Sequence, residues 1–285
     1  LRFFILLFAA SSLLFQFPSE AFAATPSDIT VTDTEIDGVN GFTELENAIN
    51  VATFTIGSST YAIVIGHDDD GVQIIDISDP TDIVAKDAET DGENGFDELE
   101  GALDVDTFTI GSSTYAIVVA QDDSGVQIID ISDPTNIVAK DSETDGENGF
   151  DELDNASHVE TFTIGSSTYA IVVGTDGVQT IDISDINNMV AMDAETRGEN
   201  GFTVLEYARD VDTFTCGSRT YAIVTSQGDD GVQLIDISDP SNIVAIDAQT
   251  DGVNGFTELD GAYDVDTFTC GAKTYAIVTG SDDDG

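Results

Sequence analysis

Basic residues are almost missing from this chain, whose 285 residues carry 7 Lys and Arg against 56 Asp and Glu, a formal net charge of −49. Such a balance excludes nucleic acid and anionic membrane as partners, because both would repel it. Histidine is scarce as well. His67 and His158 are the only two, and they occupy different places in the repeat described below, so no paired or repeated general base is evident. The chain has no Cys/His metal spacing, no Gly-x-Ser-x-Gly elbow and no phosphate-binding loop. These absences predict a protein that is not an enzyme. A long 3.6-residue apolar periodicity is also absent, which disfavours a helical solenoid.

Long apolar runs are confined to the N-terminus. Arg2 precedes the mostly apolar stretch Phe3 to Phe15, and a polar segment then ends in Ala21-Phe22-Ala23, a small-x-small cleavage signature. About 13 apolar residues fall short of the roughly 20 that span a bilayer. The expectation is a signal peptide over residues 1–23 and export of a chain starting at Ala24, secreted or held at the cell surface. Nothing later could span a membrane. Apolar residues still make up 41% of the sequence, enough to bury a core despite the acid. The self-repulsion of so much negative charge falls in high salt or with bound cations, so saline surroundings would suit it.

What the sequence has in abundance is repetition. Thr-Phe-Thr-Ile/Cys-Gly recurs at Thr53, Thr107, Thr161, Thr213 and Thr267, at offsets of 54, 54, 52 and 54. The short offset has a local cause, since Tyr169 to Gly177 spans eight residues where the other copies span ten. In the second copy, Asp104 to Gly111, Thr114 to Ala120, Val126 to Ser132 and Ile137 to Ser142 have strand length and are rich in Val, Ile, Thr, Phe and Tyr. Turn-forming groups separate them. Four antiparallel strands repeated at this period predict an all-β fold, a β-propeller of four-stranded blades occupying residues 24–285. About four and a half blades are expected. Ile29 to Gly38 aligns with Ile83 to Gly92 at an offset of 54, so an outermost strand opens the chain, and its expected role is to close the ring on the last blade. Gly285 aligns with Gly71, Gly125, Gly177 and Gly231, just before a third strand, from which we expect the natural chain to continue.

The strings Gly71 to Pro80 and Gly125 to Pro134 (Gly-Val-Gln-Ile-Ile-Asp-Ile-Ser-Asp-Pro), the variant at Gly231 to Pro240, and Ala208-Arg209-Asp210-Val211 resemble LVIVD-repeat proteins. The resemblance implies a secreted or cell-surface β-propeller. Two departures stand out. Asp185-Ile186 replaces Asp-Pro in the third copy, and the repeats run longer than the family's, through an insert such as Gly92 to Ala102 (Gly-Glu-Asn-Gly-Phe-Asp-Glu-Leu-Glu-Gly-Ala).

In a propeller the connection between blades and the loop between strands two and three share one face. That places Glu89, Asp91, Glu93, Asp97, Glu98, Glu100, Asp122 and Asp123 of the second copy together on an acidic face. Asp104 and Asp106, Asp210 and Asp212, and Asp264 and Asp266 sit at the mouth of the innermost strands, with His158/Glu160 and Asn50/Ala52 as weaker versions. A ring of carboxylates around the axis follows, and hard cations such as Ca2+ take oxygen ligands of this kind. These six aspartates are the candidate metal ligands, and no cofactor other than Ca2+ is suggested. The alternative is a solvated acidic face tuned to salt. Asp76, Asp130, Asp182 and Asp236 are expected to fix the turns after the third strands. Phe42, Phe96, Phe150, Phe202 and Phe256, with the leucine three residues on, are expected to pin each insert to its blade. Cys216 and Cys270 share the slot of Ile56, Ile110 and Ile164, which predicts small buried apolar residues. The functional expectation is a binding or cell-surface interaction module whose partner is a protein or glycan. A structural envelope component is the alternative, and a hydrolase-type propeller the distant one.

Overall fold

The computed structural model describes residues 12–15, 31–270 and 273–282. Two short strands open it, β1 (Ser12–Phe15) and β2 (Val31–Glu35), paired antiparallel. The first blade is β3 (Ala48–Ile56), β4 (Ser59–Gly66), β5 (Gly71–Asp76) and β6 (Val84–Thr90). The second is β7 (Ala102–Ile110), β8 (Ser113–Ala120), β9 (Gly125–Asp130) and β10 (Val138–Thr144), within two residues of the expected strands at every boundary. β11 (His158–Ile164), β12 (Ser167–Val173), β13 (Gly177–Asp182) and β14 (Val190–Thr196) form the third blade. The fourth is β15 (Ala208–Cys216), β16 (Arg219–Ser226), β17 (Gly231–Asp236) and β18 (Val244–Thr250), and β19 (Ala262–Cys270) with β20 (Lys273–Gly280) makes a half blade. Each sheet is an antiparallel meander in chain order. The innermost strands β3, β7, β11, β15 and β19 lie side by side in that order around an axis. Among the described residues no helix is long and apolar enough to cross a membrane.

The core lies between blades, and strand alternation explains why. Successive side chains of a strand point to opposite faces, so a strand apolar throughout serves two neighbours. On β8, Ala116 and Val118 pack with Ile63, Ile65 and Ile74 of the first blade, while Ile117 and Val119 pack with Val172 and Ile181 of the third. Phe108 and Tyr115, directly opposite on β7 and β8, stack with centroids 5.5 Å apart, and the pair recurs in every blade.

A polar clasp supplements this packing. Asp33, Asp87, Asp141 and Asp193, each on an outermost strand, accept the backbone N–H of Ile83, Ile137, Met189 and Ile243 of the following blade at 2.8, 2.7, 2.6 and 2.8 Å. Because Asp33 makes the first of these bonds, β2 stands where the outermost strand of a preceding blade would stand, as the sequence alignment implies. Its partner is β1, not the last blade, so the expected ring closure by this strand is not what the structure contains. β1 falls inside the segment read as a signal peptide, and the rest of residues 1–23 lies outside the described residues.

Each insert is anchored as expected. Phe42, Phe96, Phe150 and Phe202 are buried, as are Leu45, Leu99, Leu153 and Leu205, whereas Phe256 beside the half blade is exposed. The loop reverses through Gly92, Asn94 and Gly95, all at positive φ (73°, 53° and 86°), a region open chiefly to Gly and Asn. Gln127 then ties insert to blade: its Oε1 accepts Asp97 N–H (3.1 Å) and its Nε2 donates to Asp141 O (3.0 Å). Gln73, Gln179 and Gln233 do the same in their blades. Turn fixation also follows the sequence reading, with Asp76, Asp130, Asp182 and Asp236 accepting the N–H two residues on at 2.9 to 3.1 Å. The cysteine expectation fails for Cys216, which is exposed. Its counterparts Ile56, Ile110 and Ile164 are partly buried against core clusters shared with the next blade, and the described part of the fifth blade has only β19 and β20. The Cys270 side chain lies outside the described residues.

Candidate functional site at the blade axis

Five residues in one repeat slot, Asn50, Asp104, His158, Asp210 and Asp264, come together where the innermost strands converge. The order of blades places each against the next. Asn50 Nδ2 donates to Asp104 Oδ1. His158 spans two blades: its Nδ1 lies 3.0 Å from Asp104 Oδ2 and its Nε2 2.9 Å from Asp210 Oδ1. Asp210 and Asp264 share a side-chain hydrogen bond. Backbone amides complete the ring, with Val159 N–H donating to Asp104 Oδ2 (2.8 Å) and Val265 N–H to Asp210 Oδ2 (2.6 Å).

The charge state follows from burial and neighbours. Asp104 and Asp210 are 4% and 6% exposed. Burial alone would discharge His158, but the two carboxylates it bridges raise it to about 10, so it is an imidazolium at neutral pH. Burial raises Asp104 while His158 and two backbone amides pull it back. Asp210 opposes its burial with His158 and ends below the usual carboxylate range. Asp264, pushed up to about 6 by burial and by Asp210, holds the proton of that pair in weak acid.

Two residues further along the same strands lies a second layer. Asp106 accepts from Thr161 N–H (2.9 Å) and Oγ1 (2.6 Å), and Asp212 from Thr267 N–H (2.6 Å). Between them stands Glu160, pushed up to about 8 by burial and by the charges of Asp106 and Asp212. These layers border a cavity of about 480 Å3 lined among others by Asn50, Asp104, Asp106, His158, Glu160 and Asp264. All of Asp104, Asp106, Asp210, Asp212 and Asp264 therefore reach the axial region, with Asp266 on the same strand beyond Asp264. The first five spend oxygens on bonds to the adjacent blade. Among the described residues no group of three or more His, Cys, Asp and Glu stands in metal-holding geometry.

His158 is the residue that sequence reasoning misjudged. The sequence presents it as an unpaired histidine in a weak copy of the acidic motif, and it is the cation that bridges two buried aspartates. The signal was its slot: an odd residue at the one position where the other copies are Asp or Asn. Glu98, assigned to the solvated acidic face, is also misjudged, since it is 7% exposed. It folds over Gly125, where any Cβ would strike its carboxylate and come within 2.9 Å of Glu143 O. Thr144 Oγ1 donates to one of its oxygens, and the other is buried without a partner. Burial, and then Asp123, Asp91 and Asp97, push it up to about 7. Glu44 lies likewise over Gly71, also at about 7.

Radial blades, inner strands around an axis and a polar axial site define a β-propeller. Three of its segments, residues 60–88, 112–145 and 220–247, match the LVIVD repeat, so this chain carries LVIVD repeats. Against curated proteins the sequence has no match. Similar solved structures include a protein from Lactobacillus plantarum (TM-score 0.59, 14% identity, covering 80% of this chain and 63% of that one). A functionally unknown protein from Desulfotomaculum acetoxidans follows (0.57, 11%, 89% and 66%). So does the periplasmic gluconolactonase PpgL of Pseudomonas aeruginosa (0.55, 11%, 77% and 60%). The chain spans less than two thirds of the length of each. At these identities the likeness is one of fold.

Proposed function

We propose that this chain is an exported acidic propeller acting as a binding module at the cell surface, with a protein or glycan as partner. The observation that carries the reading is the two-sided build of the first four inserts, seen in the second. Phe96, Glu98 and Leu99 are buried, and between and beside them Glu93, Asp97 and Glu100 are exposed next to Asp122. A loop pinned this firmly presents its outward groups at fixed positions, which is how rigid scaffolds carry recognition. At the axis, His158 has both nitrogens engaged and holds its proton at neutral pH, so it is no general base there.

Ca2+ belongs to the same proposal as a stabiliser of the acidic layers, with weak sites of roughly 0.1 to 1 mM affinity, the range of extracellular modules. A lactone-hydrolysing reading draws on the gluconolactonase neighbour. The test is export by cell fractionation, then saturable binding of the labelled full chain to producing cells and to arrays of surface proteins and glycans, beside a glucono-lactone hydrolysis assay. Saturable binding without lactone turnover is expected. Turnover, or a folded protein that binds nothing, would overturn the module.

A further inference from the structure

The fourth insert breaks the repeat in several places at once, and the breaks converge on one cavity. Tyr207 occupies the slot of Gly101 and Gly261 and keeps their left-handed backbone, at φ 49°. A bulky residue is strained there. Burial does not repay that strain, since Tyr207 is 54% exposed. Gly228 replaces the Asp of the slot held by Asp68 and Asp122, and a Cβ on it would come within 3.0 Å of Tyr207 Cδ2, so the loss of that Asp makes room for the ring. The shortened third-repeat loop brings Thr175 O to Tyr207 N–H at 2.6 Å. At the other junctions a side chain, Asp70, Ser124 or Asp230, takes the equivalent amide.

Arg209 stands beside this tyrosine in the slot of Leu103. Its Nε donates to Gln227 Oε1 at 2.7 Å, and its guanidinium lies 5.7 Å from the Tyr263 ring centroid. It makes no ion pair among the described residues, whereas Arg197 and Arg219 each pair with aspartate. The cavity it borders, about 150 Å3, has no Asp or Glu in its lining. That is an unusual spot in a chain where 56 of 285 residues are acidic.

We propose that this cavity is a carbohydrate site selective for a carboxylate-bearing sugar, a uronic acid unit. The proposal rests on the binding-module reading and names its ligand class. The volume, about 150 Å3, equals that of about five waters in the liquid, so it takes one edge of a pyranose unit while the rest lies outside against the exposed Tyr207 ring. The exposed Tyr207 ring offers an apolar face for the C–H side of a pyranose. Gln121 Nε2 is held by Asn155 Oδ1 (3.3 Å) and the Ser157 hydroxyl donates to Ala208 O (2.7 Å), which leaves Gln121 Oε1 and the lone pairs of Ser157 Oγ as acceptors for the sugar's hydroxyls. Arg209, steadied by Gln227 and Tyr263, keeps its two terminal nitrogens for a carboxylate, the fork geometry that a lysine lacks.

The test titrates the full chain, by calorimetry or saturation-transfer NMR in salt high enough to screen its overall negative charge, with the methyl glycosides of galacturonate and mannuronate and their methyl esters, which keep the rings and remove the charge. One of the acids is expected to bind saturably and its ester at least tenfold more weakly. Arg209→Gln should lose that preference, and Tyr207→Gly should weaken acid and ester alike while the melts of both variants stay within a few degrees of the parent. Equal binding of acid and ester, binding unchanged in Arg209→Gln, or no binding by a folded protein would overturn the site. Array binding that persists in Arg209→Gln would sink the site alone and leave the module standing.

Discussion

Replacing His158 with Asn transplants the residue of the first repeat, Asn50, into the third and removes the one positive charge at the axis. The folded protein binds the His158 proton with an affinity near 10 against an ordinary 6.5. A group raised in this way contributes stability that is fully present below pH 6.5 and is lost as pH rises through about 10. Each tenfold in proton affinity is about 1.4 kcal/mol, so the ceiling is about 5 kcal/mol. With 25% of the His158 side chain exposed, solvent screening reduces this to roughly 2–3 kcal/mol, near the ~3–5 kcal/mol lost when a buried carboxylate loses its partner. Urea unfolding of parent and His158→Asn at pH 6.5, 8 and 10.5 should give a difference of about 3 kcal/mol at the first, falling below about 1 kcal/mol at the last. Carbon shifts of the His158 ring should report imidazolium at pH 8. A difference that does not change with pH, or a neutral ring at pH 8, would refute the charge assignment and leave His158 as a neutral hydrogen-bond bridge.

Glu98→Gln should stabilise the protein at pH 8 by about 1 kcal/mol and change little at pH 5, because the raised Glu98 loses its stability contribution as pH rises through about 7; denaturant curves at the two pH values check the sign. Phe96→Ala should cost about 3–5 kcal/mol and increase hydrogen exchange in the Gly92 to Ala102 insert before the strands open. At matched ionic strength, 10 mM Ca2+ on a site near 0.3 mM should stabilise by about 2 kcal/mol per site. Equal responses to Ca2+, Mg2+ and Na+ in thermal melts would reduce the acidic layers to a salt adaptation.

The fold was legible because its information is periodic. Strand alternation and turn groups repeat every 54 residues, and an error in one copy is corrected by the others. The Asp76 and Phe96 slots were legible for the same reason. What the sequence hid are relations between copies. His158 looks solitary until blade order sets it between residues 54 positions before and 52 after. Glu98 looks like surface acid until the insert folds back over Gly125. Gln127 reads as one polar residue in an apolar strand, and its two hydrogen bonds appear only when insert and outer strand are placed. Exposure of Cys216 depends on what covers the slot from the next blade, which the slot itself does not encode.

The clasp from each outermost strand to the following blade is the same four times over, from Asp33 to Asp193. Its genetic consequence concerns length. Recombination between such similar repeats can remove or add a blade and keep the clasp, since each outgoing aspartate meets the same incoming amide. The axial layer changes when this happens. Deleting the third repeat would bring Asp104 against Asp210 and extend the existing Asp210–Asp264 contact into a row of three carboxylates without the His158 cation. The clasps make blade number easy to change, and the Asn-Asp-His-Asp-Asp series at the axis works as a checksum that penalises a changed order.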